Sequence, residues 1–251
     1  LVIGGGAMGS AFTIPCLDNK NNVTITEPYS KQFINNLKSK NKFHSVLKIK
    51  LPKKLKFRIF SKELLKEKFN LIVIALSLPG INFISKELKN VKNKTPILVL
   101  TKGLKYDKKR NKILTISEQI KIDTKNKNIS VLKGPCLAKE LAKKNQTKVI
   151  IANKNINIAK KIGKLISTNY YLVEYSTDII GVEVCSAIKN IYAMVIGAGQ
   201  SLNMSSSLFQ KSLLEMKYLT KYFNGKETTV ESLAGVGDLY VSAAGGRNSK
   251  M

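Results

Sequence analysis

The sequence predicts an α/β fold, with a doubly wound, mainly parallel sheet in the N-terminal two thirds and an all-helical C-terminal domain after it. Three observations predict it. Short β-rich runs alternate with helix-patterned stretches as far as residue 175, the signature of βαβ units. Several of those runs, such as LIVIAL and ILVL, are continuously apolar, as strands buried on both faces must be. Beyond Tyr175 the strand pattern gives way to two long helical patterns. The boundaries read from this switch are 1–175 and 176–251. With 43% hydrophobic residues in 251, the chain can bury a real core.

In chain order the strand candidates are 1–3, 23–27, 57–60, 71–76, 97–101, 129–132, 148–152 and 170–174. Helix-like runs lie between them at 61–69, 81–91, 138–144 and 156–166, and the two long helices are expected at 177–198 and 207–223, the second stopped by Gly225. The lysine- and asparagine-rich segment 105–128 is punctuated by charge and reads as a surface excursion. The stretch 179–198 is apolar enough to suggest a membrane span, but Glu183 and Lys189 lie within it. A central charge costs roughly 2.5 to 3.5 kcal/mol on insertion scales, so a buried helix without membrane insertion is expected.

The formal net charge of +27 raises nucleic acid or an anionic membrane as a partner. Its distribution argues against both. Arg58, Arg110 and Arg247 are the only arginines, and the lysines are spread over every segment rather than grouped on one element. Cys16, Cys136 and Cys185 are far apart and odd in number, which reads as reduced thiols in a cytoplasmic protein. No signal peptide is visible; the chain begins at Leu1 inside an apolar run and stops shortly after a Gly-Gly-Arg-Asn turn, so it reads as a fragment truncated at both ends.

The opening LVIGGGAMGSAF is a strand, then Gly4-x-Gly6-x-x-Gly9, then a helical pattern, the context in which that motif binds a dinucleotide in a Rossmann domain. Its glycines allow a tight turn and let backbone N–H groups approach a pyrophosphate. Glu27 ends the second strand about 20 residues on, where a carboxylate can bind the ribose 2′-hydroxyl and would repel a 2′-phosphate. NAD or NADP is therefore the expected cofactor, NAD being favoured by Glu27; the alternative is a solvated turn residue beside Pro28. No metal is expected.

Lys102 stands at the carboxyl edge of the sheet, where open α/β folds bind ligands, and the Lys133-Gly134-Pro135-Cys136 run likewise follows a strand and opens a helix. Lys189 is the only cation in 179–198, and Glu183, six positions back, is off its helix face. A lysine desolvated among Ile188, Ile191 and Tyr192 would have a lowered pKa and could work as a general acid/base; equally, it could snorkel over apolar surface. Asp238 follows a glycine-rich turn, and Arg247 follows two glycines, a placement suited to bidentate phosphate binding or to an ordinary loop.

The blocks GGGAMGSAF, TKGL, KGPCLAKELAKKNQTKVIIA, STDIIGVEVCSAIKNIYAMVIGAG and LAGVGDLYVSAAGGRN, in this order over nearly the whole chain, resemble the NAD(P)-dependent glycerol-3-phosphate dehydrogenases, most closely the archaeal-type branch. The resemblance implies interconversion of sn-glycerol 3-phosphate and dihydroxyacetone phosphate, supplying glycerol phosphate for phospholipid synthesis. It implies that Lys189 is the proton acceptor, with Asn190 beside it, that Lys102 contacts cofactor and substrate, and that Asp238 positions the lysine. Gly134 and Cys136 fall at substrate contacts, Ala138 at a cofactor contact, and Ala7 and Met8 inside the cofactor loop. Gly246, Arg247 and Asn248 match the turn that binds phosphate and cofactor.

Two departures stand out. Cys136 replaces the usual Ser, Thr or Ala, and Ala-Leu-Ser-Leu-Pro at 75–79 replaces a Val-Pro-Ser-type turn. The family's remaining C-terminal helices, with a cofactor-contacting glutamate, are not in the sequence. Two rivals stay open: another Rossmann reductase with a catalytic lysine, similar to the ketopantoate reductases, and a non-enzymatic polyanion-binding protein. Oligomeric state is open too, a homodimer being one option.

Overall fold

The computed structural model describes residues 1–39, 41–89 and 95–245. Its central sheet has eight strands: β1 (Val2–Ile3), β2 (Thr24–Thr26), β5 (Lys56–Phe57), β6 (Ile72–Ile74), β7 (Ile97–Val99), β10 (Ile129–Lys133), β11 (Thr147–Ala152) and β12 (Tyr171–Ser176). Two short hairpins supply the rest, β3 (Phe43–His44) with β4 (Ile49–Lys50) and β8 (Leu104–Asp107) with β9 (Lys112–Thr115). Each of the eight runs expected from the sequence forms a strand of the sheet.

The spatial order is β12-β11-β10-β7-β6-β1-β2-β5. The six strands from β5 to β10 are all parallel, and the order reverses between β1 and β6, which is the doubly wound arrangement with its ligand crevice at the switch point. At β10 the direction changes: β11 runs antiparallel to it, and β12 runs parallel to β11.

Alternation along the strands explains the continuous apolar runs. Ile3, Ile72, Ile74, Ile97 and Val99 enter one core cluster, while Val2, Val73 and Leu98 enter the other. Helices α1 (Ala7–Asp18), α2 (Lys31–Ser39), α6 (Ala138–Ala142) and α7 (Ile156–Ile166) cover the second face. Helices α3 (Lys62–Lys66), α4 (Gly80–Lys89) and α5 (Ile116–Thr124) cover the first.

Segment 105–128 corrects the sequence reading. Its hairpin is superficial, with Tyr106 and Ile113 exposed, but α5 buries Ile116 and Ile120 completely and is the crossover that leads into β10. Charged residues on its flank, Glu118, Lys121 and Asp123, disguise it. The signal for it is local: Thr115 and Glu118 form a reciprocal capping box, a Thr-x-x-Glu pattern ahead of apolar positions.

After β12 the chain is helical among the described residues: α8 (Ile179–Gly197), α9 (Leu202–Tyr222), a 3-10 turn (Glu227–Glu231), a π-helical turn (Leu233–Gly237) and α10 (Asp238–Gly245). Helix α9 starts five residues ahead of expectation because Ser201 caps it, accepting from Met204 N–H. Helix α8 is apolar because it is a core helix: Val182, Val184, Cys185, Ile188 and Ala193 join the first cluster with Met216 of α9 and Leu239 of α10. Asp178 anchors its start, accepting from Gly181 N–H, Lys226 N–H and the Thr229 hydroxyl.

Candidate active site

The three fingerprint glycines differ in what the fold asks of them. Gly4 has φ +117°, and a Cβ there would lie 2.4 Å from the Ala75 carbonyl oxygen. A Cβ on Gly9 would lie 2.0 Å from the Gly4 oxygen. Gly6 is the exception, since a Cβ there would meet nothing within 4 Å. Gly6 is exposed, and it is the N-cap of α1 without a side-chain cap, so the amides of Ala7 and Met8 in the first turn are left for an external acceptor. Glu27 lies against the same loop: its carboxylate accepts from Gly5 N–H at 2.8 Å and from Tyr29 N–H at 3.1 Å. An open face beside an uncapped helix start, with a carboxylate at the end of β2, fits a dinucleotide.

At the carboxyl edge of the sheet three elements converge on one carboxylate. Asp238, at the start of α10, accepts from Lys189 of α8 through Oδ1 at 2.7 Å and from Lys102, just beyond β7, through Oδ2 at 2.6 Å. Ser186, one turn before Lys189, donates to Oδ2 at 3.3 Å. Lys189 also donates to the Ser242 hydroxyl, which in turn donates to the Asp238 carbonyl at 2.7 Å. The Lys189 and Asp238 side chains are 8% and 2% exposed, Lys102 32%, so only Lys102 reaches appreciably toward solvent. Burial lowers the Lys189 pKa from its ordinary 10.5, the Lys102 charge lowers it further, and Asp238 opposes both. Two ammonium groups on one carboxylate leave a positive site with a lysine prepared to exchange a proton with a substrate oxygen.

Behind this cluster lies a buried charge layer whose members the sequence shows without showing that they lie together. Lys133, at the end of β10, is 2% exposed and donates to the Thr101 carbonyl at 2.5 Å and to the Val99 carbonyl at 3.3 Å. Burial pushes its pKa down to about 8 against the opposing charge of Glu183. Glu183, raised by burial, accepts from Ser117 N–H at 3.1 Å and from the Ser117 hydroxyl. The helix face of Glu183 is thus occupied by α5, while Lys189 is served from α10.

Next along the chain, Gly134 is buried with φ +117°, and a Cβ would press on Val149 Cα at 3.3 Å. Burial pushes the Cys136 thiol up to about 12, so this position is neutral. Ala138 starts α6 and packs on the second core cluster. Asn190 is exposed on α8 and has no hydrogen bond to the lysine cluster among the described residues. Gly246, Arg247 and Asn248 lie outside the described residues.

Two family models cover most of the chain: the N-terminus of NAD-dependent glycerol-3-phosphate dehydrogenase matches residues 1–159, and the C-terminus of the same family matches residues 178–251. The chain is similar to a protein of Archaeoglobus fulgidus named NADP(+)-dependent glycerol-3-phosphate dehydrogenase, at 29% identity over all of this chain and 77% of the relative. A glycerol-3-phosphate dehydrogenase [NAD(P)+] of Vesicomyosocius okutanii is 31% identical over 97% of this chain and 73% of its own length. Among solved structures, glycerol-3-phosphate dehydrogenase from Coxiella burnetii superposes with a TM-score of 0.87 at 25% identity, covering 99% of this chain and 77% of that one. Matches to both halves of one family, on a fold that brings Lys102, Lys189 and Asp238 together, disfavour the ketopantoate-reductase-like reading. The chain belongs to the NAD-dependent glycerol-3-phosphate dehydrogenase family.

Proposed function

We propose that this chain interconverts sn-glycerol 3-phosphate and dihydroxyacetone phosphate with NAD(P), in the cytoplasm, as a step that supplies glycerol phosphate for phospholipid synthesis. The observation that carries the reading is the buried Lys189 held 2.7 Å from Asp238, with Lys102 on the other oxygen of the same carboxylate. NAD(P), when bound, supplies the redox chemistry by accepting or returning a hydride. Lys189 takes the proton of the C2 hydroxyl in oxidation and returns one in reduction, and its lowered pKa eases release of that proton relative to an ordinary lysine. Asp238 aims Lys189 and Lys102 and limits the fall of the Lys189 pKa.

The remaining roles belong to the same proposal. Lys102 and Asn190 orient the substrate, with Gly134 and Cys136 lining its seat, and Arg247, Gly246 and Asn248 hold its phosphate. The loop of Gly4, Gly6, Ala7, Met8 and Gly9 seats the pyrophosphate, Ala138 touches the cofactor, and Glu27 favours NAD. Residues 1–175 form the cofactor domain and 176–251 the catalytic one, with no nucleic acid or membrane insertion involved. The test is an assay of dihydroxyacetone phosphate reduction with NADH and with NADPH, for wild type and Lys189→Ala. Turnover by wild type that survives Lys189→Ala at near-normal kcat would remove the lysine from the mechanism.

A further inference from the structure

We infer that His44, the single histidine of the chain, is a positioning residue for cofactor binding that turns the Gly5–Gly6 peptide so that Gly6 N–H faces the dinucleotide site. This rests on the assignment of the glycine loop to a dinucleotide. His44 is 1% exposed on the β3–β4 hairpin, 39 residues from the loop it touches. Its Nδ1 accepts from Leu47 N–H at 3.2 Å, so the neutral ring carries its proton on Nε2. Nε2 lies 3.1 Å from the Gly5 carbonyl oxygen and donates to it.

The Gly5–Gly6 peptide, through its carbonyl, and the Gly4–Gly5 peptide before it, through its N–H, are gripped from other sides. The Ser10 hydroxyl donates to the Gly5 oxygen at 2.8 Å, and Gly5 N–H donates to Glu27 at 2.8 Å. Phe33 packs edge-on to the His44 ring with centroids 5.8 Å apart, and its Cε1 lies 2.5 Å from where a Cβ on Gly5 would stand. The Gly5–Gly6 peptide is trans and planar, so a carbonyl drawn inward sends the following N–H outward. Outward is open space, because Gly6 is exposed and free of neighbours at its Cβ position. An N–H there adds to the first-turn amides of α1 as an anion seat, whereas a flipped peptide would present a carbonyl oxygen to the phosphates. Both Ser10 and His44 oppose that flip. Only His44 ties it to the hairpin.

The test compares His44→Gln with His44→Asn. Gln places a side-chain N–H near the Nε2 position and keeps the bond to Gly5; Asn reaches only the Nδ1 position and keeps the bond from Leu47. NADH and ADP-ribose are titrated without substrate, and folding is followed by thermal unfolding. We expect His44→Asn to weaken both ligands by about tenfold, the loss of one hydrogen bond. His44→Gln should stay within about threefold of wild type, and the KM for dihydroxyacetone phosphate at saturating NADH should be unchanged in both. Tight binding by His44→Asn, or equal weakening by His44→Gln, would overturn the inference, the latter assigning His44 a packing role. Amide exchange in the wild type tests the orientation that His44 is inferred to hold: Gly6 N–H should exchange freely alone and become protected by NADH, and the opposite pattern contradicts the inference. Failure of wild type to bind either NADH or NADPH would refute the dinucleotide assignment itself, a result distinct from failure in the variants alone.

Discussion

Gly9 and Gly4 meet so closely that a Cβ on Gly9 would sit 2.0 Å from the Gly4 carbonyl oxygen, although Gly6 between them has room for one. Two alanine substitutions in one motif should therefore fail for different reasons. Gly9→Ala forces the helix start away from β1 and should cost stability, about 1 to 3 kcal/mol by the usual scale of overpacking. Gly6→Ala should cost much less stability than Gly9→Ala, only the modest penalty of a poorer N-cap, and still weaken NAD(P)H, because the added methyl occupies the face left to the ligand. Thermal unfolding and NADH titration of both variants check this; a Gly6→Ala variant as destabilised as Gly9→Ala would contradict it.

Removing the Asp238 charge should change how the site titrates. Asp238 opposes the downward shift of Lys189, so Asp238→Asn should lower the Lys189 pKa further. Reduction needs the protonated lysine and is lost as pH rises through that pKa; oxidation needs the neutral lysine and is gained. In Asp238→Asn the falling limb of dihydroxyacetone phosphate reduction should move to lower pH, with a drop in kcat on the order of 10² or more as the lysine loses its aim. A pH–rate profile in each direction reads both effects.

Lys133 makes a stability prediction with a defined sign. Its folded pKa of about 8 lies below the ordinary 10.5, so between those values the unfolded chain binds the extra proton and stability rises with pH. Below about pH 8 both states carry the charge and the full cost of burying it is present. Unfolding free energy of wild type minus that of Lys133→Met should accordingly climb from pH 8 to pH 10.5 and be flat beneath. Denaturant titrations at four pH values suffice, and a flat difference throughout would mean that Lys133 keeps an ordinary pKa.

Glu27 should discriminate between the two cofactors. Its carboxylate is held at the loop by Gly5 N–H, where a 2′-phosphate would meet a negative charge. The ratio of kcat/KM for NADH over NADPH should exceed one in wild type and fall by about tenfold or more in Glu27→Ser, one tenfold being 1.4 kcal/mol of lost repulsion. A wild-type preference for NADPH would reject this role for Glu27.

Much of the fold was legible because burial on both faces writes itself into consecutive residues, as in Leu71 to Leu76. Helix α5 was not, since its buried Ile116 and Ile120 are separated by polar residues in a run dominated by lysine and asparagine. Lys189 stands out as the odd cation in an apolar helix, but residue spacing does not give its partner: Asp238, named through the family resemblance, lies 49 residues away and meets it through the packing of α10 on α8. The role of His44 and the partners of Lys133 were illegible for the same reason. Each residue acts on a backbone carbonyl distant in sequence, and side-chain chemistry alone does not say which carbonyl that is.

The shared carboxylate also sets an order of assembly. Lys102 and Lys189 are synthesised well before Asp238, and until it arrives they are two like charges with nothing between them. A nascent chain that has exposed α8 but not yet α10 must therefore keep these ammonium groups in water, and with them the apolar face from Val182 to Ala193 that has to be buried on the way. The lysine–aspartate cluster can therefore close only after Asp238 has been made, however early the sheet forms.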